Sequence, residues 1–273
     1  MYEISSTNLS EWMVKLFPDI NLGCINFGFW KDIKEPIDVN KRILSQKKLY
    51  FELFKYIKIK KGKILEVGSG RGHGVFWLTD LGFDAIGIDP LISQVNISQQ
   101  NYPSLSDHFM NGDAESMPFT DSSFDCIVSL EAAQHFNFKE FCHEARRVLK
   151  PNGKLVFSTF FMTERSARNS LSKLIPRNAE GYHKTISIVE VNEFLAKSGF
   201  GIYSIAKIGK NVFPMYSKWQ KLQLGNVSLQ SLDQERLKYK EYYTGGGKGN
   251  HPWLIAFERG LIEYFIVECH KIG

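Results

Sequence analysis

The chain is poor in the features that mark several large protein classes. Four cysteines among 273 residues (Cys24, Cys126, Cys142 and Cys269) lie far apart without metal-ligand spacing, which excludes a disulfide scaffold and a zinc module. They read as reduced, buried thiols. No apolar run approaches the roughly 20 residues needed to span a bilayer. The N-terminus shows no secretory pattern, so a cytoplasmic setting is expected, with at most transient membrane contact. The charge has no long block of one sign: 34 basic against 29 acidic residues leave +5. The tightest basic cluster, Lys58, Lys60, Lys61 and Lys63, reads as a solvated linker rather than a nucleic-acid patch. Repeats and low-complexity tracts are absent too. What is present is 43% apolar and 14% aromatic residues, enough to bury a core in one large domain or a domain with an insertion.

The first 40 residues combine an amphipathic stretch (Trp12, Leu16, Phe17) with the run Asn26-Phe27-Gly28-Phe29-Trp30. Asn40 then fits an N-cap. Ile43, Leu44, Lys47, Tyr50, Phe51, Phe54 and Ile57 follow at helical spacing, so they are expected on the inner face of a long helix, with the Lys47 amine reaching water. From Lys63 short apolar runs alternate with helical stretches. Strands are expected at 64–67, 83–88, about 108–110, 124–130 and 154–159, and a helix from about 138 to 149. The 124–130 run is apolar, as suits a strand buried on both faces. This alternation argues for βαβ units and a parallel sheet. Further on, a helix is expected at 189–197, a sixth strand at 201–208 and a last strand at 261–269. The interval 209–260, with Trp219, Tyr239, Tyr242, Tyr243 and Trp253, is too long for a structureless loop and is expected to form a mostly helical cap.

The first strand runs into Gly68-Ser69-Gly70-Arg71-Gly72 before a helix, a turn where backbone approaches a ligand closely and helix N–H groups stand free. Asp89, 19 positions past Gly70 at the tip of the next strand, can accept hydrogen bonds from both hydroxyls of a ribose. Two details separate S-adenosylmethionine from a dinucleotide. Position 73 is His, so Gly-x-Gly-x-x-Gly fails; and Glu66, two residues before the first glycine, suits a cationic amino-acid moiety but repels a pyrophosphate. Asp113-Ala114-Glu115 is placed to meet an adenine edge. An NAD-dependent oxidoreductase is the weaker alternative.

Four segments in order carry a family resemblance: Glu66-Val67-Gly68-Ser69-Gly70-Arg71-Gly72, Asp89, Gly112-Asp113-Ala114-Glu115-Ser116-Met117-Pro118-Phe119, and Arg147-Val148-Leu149-Lys150-Pro151-Asn152-Gly153. Together they resemble the class I S-adenosylmethionine-dependent methyltransferases, strongly over about residues 60–160. The resemblance implies an α/β, doubly wound, Rossmann-like sheet of seven strands, mostly parallel with an antiparallel last strand, under a helical, aromatic-rich cap. It divides the chain into an N-terminal helical segment over the cofactor (1–60), the cofactor core (61–160), and sheet completion with cap insertions (161–273). It places Glu66, Gly68, Ser69, Gly70 and Gly72 at the methionine portion, Asp89 at the ribose, and Asp113, Ala114 and Glu115 at the adenine, with Pro90 and Gln94 also binding the cofactor. Leu130 and Trp30 complete the cofactor site. The product is then S-adenosyl-L-homocysteine. Asn152, where many members have a second glycine, tolerates left-handed backbone.

Methyl transfer is an in-line displacement in which alignment does much of the work, and a hydroxyl acceptor must also lose a proton. The segment after the fourth strand, Leu130-Glu131-Ala132-Ala133-Gln134-His135-Phe136, resembles the Glu-x-x-x-His stretch of methyltransferases acting on sugars, polyketides and lipids. His135 is the candidate base, since imidazole titrates near neutral pH. Glu131 orients that histidine, binds the cofactor or shapes the pocket. His73 reads as packing or capping, and His143 as a surface residue. Phe29, Phe161, Tyr182, His183, Tyr242 and Trp253 are candidates for the acceptor pocket, with His251 beside Trp253. The aromatic content suggests a hydrophobic small molecule; the 26–30 segment, the Glu-x-x-x-His stretch and the run Arg259-Gly260-Leu261-Ile262-Glu263-Tyr264 together resemble the phthiotriol-type and natural-product O-methyltransferases. Sterol and quinone C-methyltransferases compete, since aromatic rings stabilise a cation, and a module that binds cofactor without turnover is the rival class. Asp107, Asp113 and Asp125 form no recognisable metal cluster, so no metal is expected. Nucleic acid is disfavoured, protein acceptors stay open, and the assembly is a monomer or homodimer.

Overall fold

The computed structural model describes residues 23–164, 186–226 and 251–273. Seven strands make one sheet in the order β3-β2-β1-β4-β5-β7-β6. They are β1 (Lys63–Val67), β2 (Asp84–Asp89), β3 (Phe109–Asn111), β4 (Phe124–Leu130), β5 (Leu149–Met162), β6 (Phe200–Lys207) and β7 (Ile262–Lys271). The pairs among β1 to β5 are parallel, and β7 runs antiparallel between β5 and β6. The helices are α1 (Val39–Phe54), α2 (His73–Asp80), α3 (Ile92–Asn101), α4 (Phe138–Val148), α5 (Ile188–Lys197), α6 (Gly209–Asn226) and α7 (Pro252–Glu258). This is the mostly parallel, doubly wound sheet expected from the sequence rhythm and the resemblance. Chain order reverses between β1 and β4, and ligands of such sheets lie outside the carboxyl ends of the strands at that crevice.

Side-chain alternation divides the interior into two layers. Cys126, Val128, Val156, Phe160, Tyr264 and Ile266 face one core, shared with α1, α2, α6 and α7. Ile127, Leu155, Phe157, Phe161, Phe265 and Val267 face the other, against α4 and α5. Helix α4 shows why: Phe138, Phe141, Cys142, Ala145 and Val148 recur on one face and are all buried. At the far end of the sheet the carboxylate of Glu268, wholly buried, is neutralised by Lys58 (2.8 Å) and Lys154 (3.1 Å). The basic cluster read as a solvated linker therefore contributes one pairing lysine from its half-exposed edge.

Three boundaries differ from the sequence reading. The fifth strand begins at Leu149 and passes through the Lys-Pro-Asn-Gly turn, where Asn152 takes φ +62° as its side chain allows. The cap of α1 is Asp38, whose Oδ1 accepts the Lys41 amide at 2.8 Å; Asn40 lies inside the helix. The inner face of α1 is also rotated. Arg42, Ser45, Gln46, Leu49, Tyr50 and Leu53 are buried, whereas Leu44 is 49% and Phe51 37% exposed.

A half-polar inner face exists because α1 packs against bare backbone. Arg42 donates to the carbonyls of Phe27 (2.8 Å) and Asn26 (2.5 Å), Gln46 donates to Cys24, and the Ser45 carbonyl accepts the Phe29 amide (2.9 Å). Burial lowers the Arg42 pKa to about 10, which still leaves the guanidinium charged at neutral pH. Arg42→Met strips donors from buried carbonyls, so it should cost about 2–4 kcal/mol in urea unfolding, whereas Leu44→Ala should cost under about 1 kcal/mol. Equal losses would contradict the rotated face.

Candidate cofactor and acceptor site

The loop 68–72 is fixed by the end of β2. The amides of Gly68 and Ser69 donate to the Ile88 carbonyl (2.9 and 3.0 Å), and that of Gly70 donates to Asp89 Oδ2 (2.9 Å). Asp89 Oδ1 accepts the Leu91 amide at 3.0 Å. Gly68, Gly70 and Gly72 all have positive φ, and a Cβ on Gly72 would meet the Phe109 ring at 2.7 Å. At Gly70 no atom lies within 4 Å of where a Cβ would stand, so the middle of the loop borders open space. Asp89 is 8% exposed, and burial raises its pKa against the pull of the two amides. Each of its oxygens retains acceptor capacity for a ribose hydroxyl. Gln94, also buried, has an Oε1 with no partner. A loop open at Gly70, with the Asp89 carboxylate bonded to its amide, offers the acceptor oxygens that the ribose of a nucleoside needs.

Glu66 sits deeper than the loop. Its carboxyl group lies under Gly74, where an added Cβ would collide with it. Burial pushes its pKa up to about 8, against the nearby Tyr50 hydroxyl and Val75 amide. Around the turn after β3 Ala114 is buried and Asp113 exposed, and Pro90 after β2 is exposed too. Glu115 Oε1 accepts the amide of Asn137 at the start of α4 (2.6 Å), so it ties this turn to the segment after β4. Asn111, absent from the sequence reading, donates to the carbonyls of Asp89 (3.0 Å) and Pro90 (2.9 Å) and fixes the β2 tip from the β3 side.

The run 26–30 forms a strap across the core shared with α1, α6 and α7, here called the strap side. Phe27 stacks on Tyr216 (4.2 Å) and lies 6.0 Å from Phe160. The Trp30 amide donates to Asn211 O (2.9 Å), and Asn211 Nδ2 returns a bond to Trp30 O (2.8 Å). Phe29 and Trp30 are both buried, and Trp30 Nε1 has no partner. Glu131, at the tip of β4 beside the buried Leu130, holds φ +50°, a left-handed conformation costing about 1–3 kcal/mol in a non-glycine residue. Its amide donates to Ser158 O (2.7 Å), its carbonyl accepts Gln134 Nε2 (2.6 Å), and Gln134 accepts the Thr159 hydroxyl (2.5 Å). The strained backbone aims the carboxylate at the strap, where it accepts the Phe27 amide (3.0 and 3.1 Å) and the Tyr264 hydroxyl (2.8 Å). Burial raises its pKa to about 7, with Phe27, Tyr264 and the Arg42 cation limiting the shift.

His135 closes the short 3-10 turn Ala133–His135 and is exposed. His73 packs edge-on against Trp77 and Tyr102, and burial with Arg71 nearby lowers its pKa to about 4. His143 is exposed, as expected. His251 caps α7, accepting the Trp253 amide at Nδ1 (3.2 Å). Trp253 packs on Phe160 (4.4 Å) in the strap-side core. Phe161 is displaced from the acceptor role given it: alternation along β5 turns it into the opposite layer, against Phe138 and Phe157, and Phe160 takes the strap side. Tyr182, His183 and Tyr242 lie outside the described residues.

Residues 65–157 match the family model of the methyltransferase domain. Of the curated relatives, phthiotriol/phenolphthiotriol dimycocerosates methyltransferase 1 of Mycobacterium ulcerans is 30% identical over 144 residues, 49% of this chain and 52% of that protein. The mitochondrial ubiquinone biosynthesis O-methyltransferase of Mus musculus is 25% identical over 211 residues, 72% of this chain and 57% of that protein. The chain thus spans little more than half the length of these relatives. Among solved structures, geranyl diphosphate C-methyltransferase from Streptomyces coelicolor A3(2), in complex with Mg2+, geranyl-S-thiolodiphosphate and S-adenosyl-L-homocysteine, matches with a TM-score of 0.72 over 98% of both chains at 14% identity. At that identity the likeness concerns the fold alone. Among the described residues no group of three or more His, Cys, Asp or Glu side chains comes together to hold a metal ion, and no helix is long and apolar enough to cross a membrane.

Two buried carboxyl groups carry a consequence for pH. A carboxyl whose pKa is raised by folding leaves the native state binding more protons than the unfolded chain, so stability falls as pH rises. For Glu131 and Glu66 the window opens near 4.5 and closes near 7 and 8. Buried His73 and His251, whose pKa values are lowered, oppose this below about pH 6.5, so the melting temperature of the cofactor-free protein should decline mainly from about pH 6.5 to about pH 8, and Glu66→Gln should flatten that decline. An unchanged slope in thermal scans of the variant would show that Glu66 is charged in the folded protein.

Proposed function

We propose that the chain is an S-adenosylmethionine-dependent methyltransferase acting on a hydroxyl of a hydrophobic small molecule. The observation that carries this reading is the 68–72 loop, held by Asp89 and Ile88 with open space at Gly70. The domain match and the lipid- and quinone-pathway names of its relatives support the same direction. Glu66 with Gly68, Ser69, Gly70 and Gly72 would hold the methionine portion, Asp89, Pro90 and Gln94 the ribose, and Asp113, Ala114 and Glu115 the adenine. Trp30 and Leu130 would border the site. The 1–60 segment then covers the cofactor core of 61–160, and 161–273 completes the sheet and carries the cap. Bound S-adenosylmethionine supplies a sulfonium methyl group and leaves as S-adenosylhomocysteine.

The chain's own part is alignment and removal of one proton. Phe27, Phe160, Tyr216 and Trp253 gather aromatic surface on the strap side, which suits an apolar acceptor next to the end of β4. His135, exposed on the turn after that strand, would take the hydroxyl proton as the oxygen–carbon bond forms. The same aromatic surface lies near the Glu131 carboxylate and favours a second reading, C-methylation with the transient cation stabilised by ring faces and the acid.

Calorimetric titration with S-adenosylmethionine, S-adenosylhomocysteine and NAD tests the cofactor. The first two should bind and NAD should not. Asp89→Ala should weaken S-adenosylhomocysteine by about 10- to 100-fold, and unchanged affinity would remove Asp89 from the ribose. With a hydroxylated lipid or polyketide acceptor, His135→Ala should lower kcat about 100-fold or more and abolish its acid-side fall; full kcat at every pH would place the base elsewhere.

A further inference from the structure

The strap 26–30 is anchored on two sides away from the segment after β4: to α1 through Arg42 and Ser45, and to α6 through Asn211. Toward the segment after β4, which carries Gln134 and His135, the polar connection runs through Glu131. Three features make that connection a built one. The Glu131 backbone is left-handed, and its amide and carbonyl are both tied to neighbours, to Ser158 and to Gln134. Its carboxylate receives the Phe27 amide on both oxygens. The hydroxyl of Tyr264, a wholly buried residue on β7, fixes Oε1 from below, and Ser158 faces the same hydroxyl. Phe27 in turn sets its ring against Tyr216 and Phe160, so the place of its amide decides how the aromatic surface meets the end of β4.

We infer that Glu131, backed by Tyr264, is a positioning residue that clamps the aromatic-glycine strap to the segment after β4 and so fixes the acceptor wall and the cofactor cover as one unit. It does this through Phe27, not by contact with the reacting atoms. The functional consequence rests on the reading of the 68–72 loop as a cofactor site; the clamp itself does not.

Amide hydrogen exchange of the full chain, followed by NMR without cofactor, reads the clamp directly. Glu131→Ala should speed exchange at Phe27 by about tenfold or more, while Phe29 and Trp30, whose acceptors are Ser45 and Asn211, change far less. Glu131→Gln, which keeps one acceptor oxygen, should restore most of the protection, and Tyr264→Phe should lose part of it. S-adenosylhomocysteine affinity should follow the same order, about tenfold weaker in Glu131→Ala and recovered in Glu131→Gln. Unchanged protection at Phe27 would overturn the inference, and so would an equal loss across 27–30 that glutamine does not rescue, the mark of plain fold support. If Glu131→Ala does not fold, Tyr264→Phe decides: unaltered exchange at Phe27 would again refute the clamp. If the wild-type protein fails to bind S-adenosylhomocysteine, the cofactor reading falls, and the exchange pattern still decides the clamp.

Discussion

Ile88 and Asp89, the last two residues of β2, accept the amide hydrogens of Gly68, Ser69, Gly70 and Leu91, and the Asp89 carbonyl also takes that of Gly112. Three connections that leave the sheet at this end are thereby organised around one strand tip. The parallel register, with Val67 opposite Ile88, brings the tip and the loop to the same level. An asparagine at 89 would turn an NH2 group toward one of two N–H donors, so the carboxylate is needed for the fold before any ligand is considered. The glycines then let the backbone follow a path that side chains would block.

A second constraint comes from the N-terminal side. The strap has few backbone partners in the sheet, and buried amides and carbonyls must find partners somewhere. Helix α1 supplies them from the Arg42 and Gln46 side chains and the Ser45 carbonyl, which is why a helix in a hydrophobic setting turns an arginine and a glutamine inward. An exposed Leu44 and Phe51 follow from the same geometry, because a helix has one inner face and here hydrogen bonding outranks hydropathy in choosing it. An aromatic pair adds about 0.5–1.5 kcal/mol beyond its buried area, so Phe27 on Tyr216 secures the strap about as firmly as one of these hydrogen bonds, and less than Arg42, which makes two.

Those two constraints differ in how far they were legible in the sequence. The loop could be read because its parts are close together: strand, glycines and acid fall within 27 residues, counting from Lys63 to Asp89. The same is true of β4, whose unbroken apolar run has one physical meaning. Asn152 could be read because one turn position demands one backbone conformation. The Glu131–Tyr264 pair could not, since its members stand 133 residues apart and a tyrosine in a strand resembles any other core residue. Asn111 and Glu115 carry no periodic signal, and their partners are main-chain atoms that every residue possesses. The inner face of α1 was misread for the same reason: hydropathy counts side chains, while the partner was backbone.

The division of β5 between the two layers bears on how this protein can change over generations. Phe160 and Phe161 are adjacent in sequence yet belong to separate cores, so a one-codon insertion or deletion upstream within the strand would exchange them and every alternating neighbour with them. Descendants can lengthen or shorten the chain here at the turn around Asn152, where the ladder is already interrupted, or they must do so in steps of two. The aromatic surface on the strap side can therefore diversify by substitution at single positions far more readily than by any change in strand length.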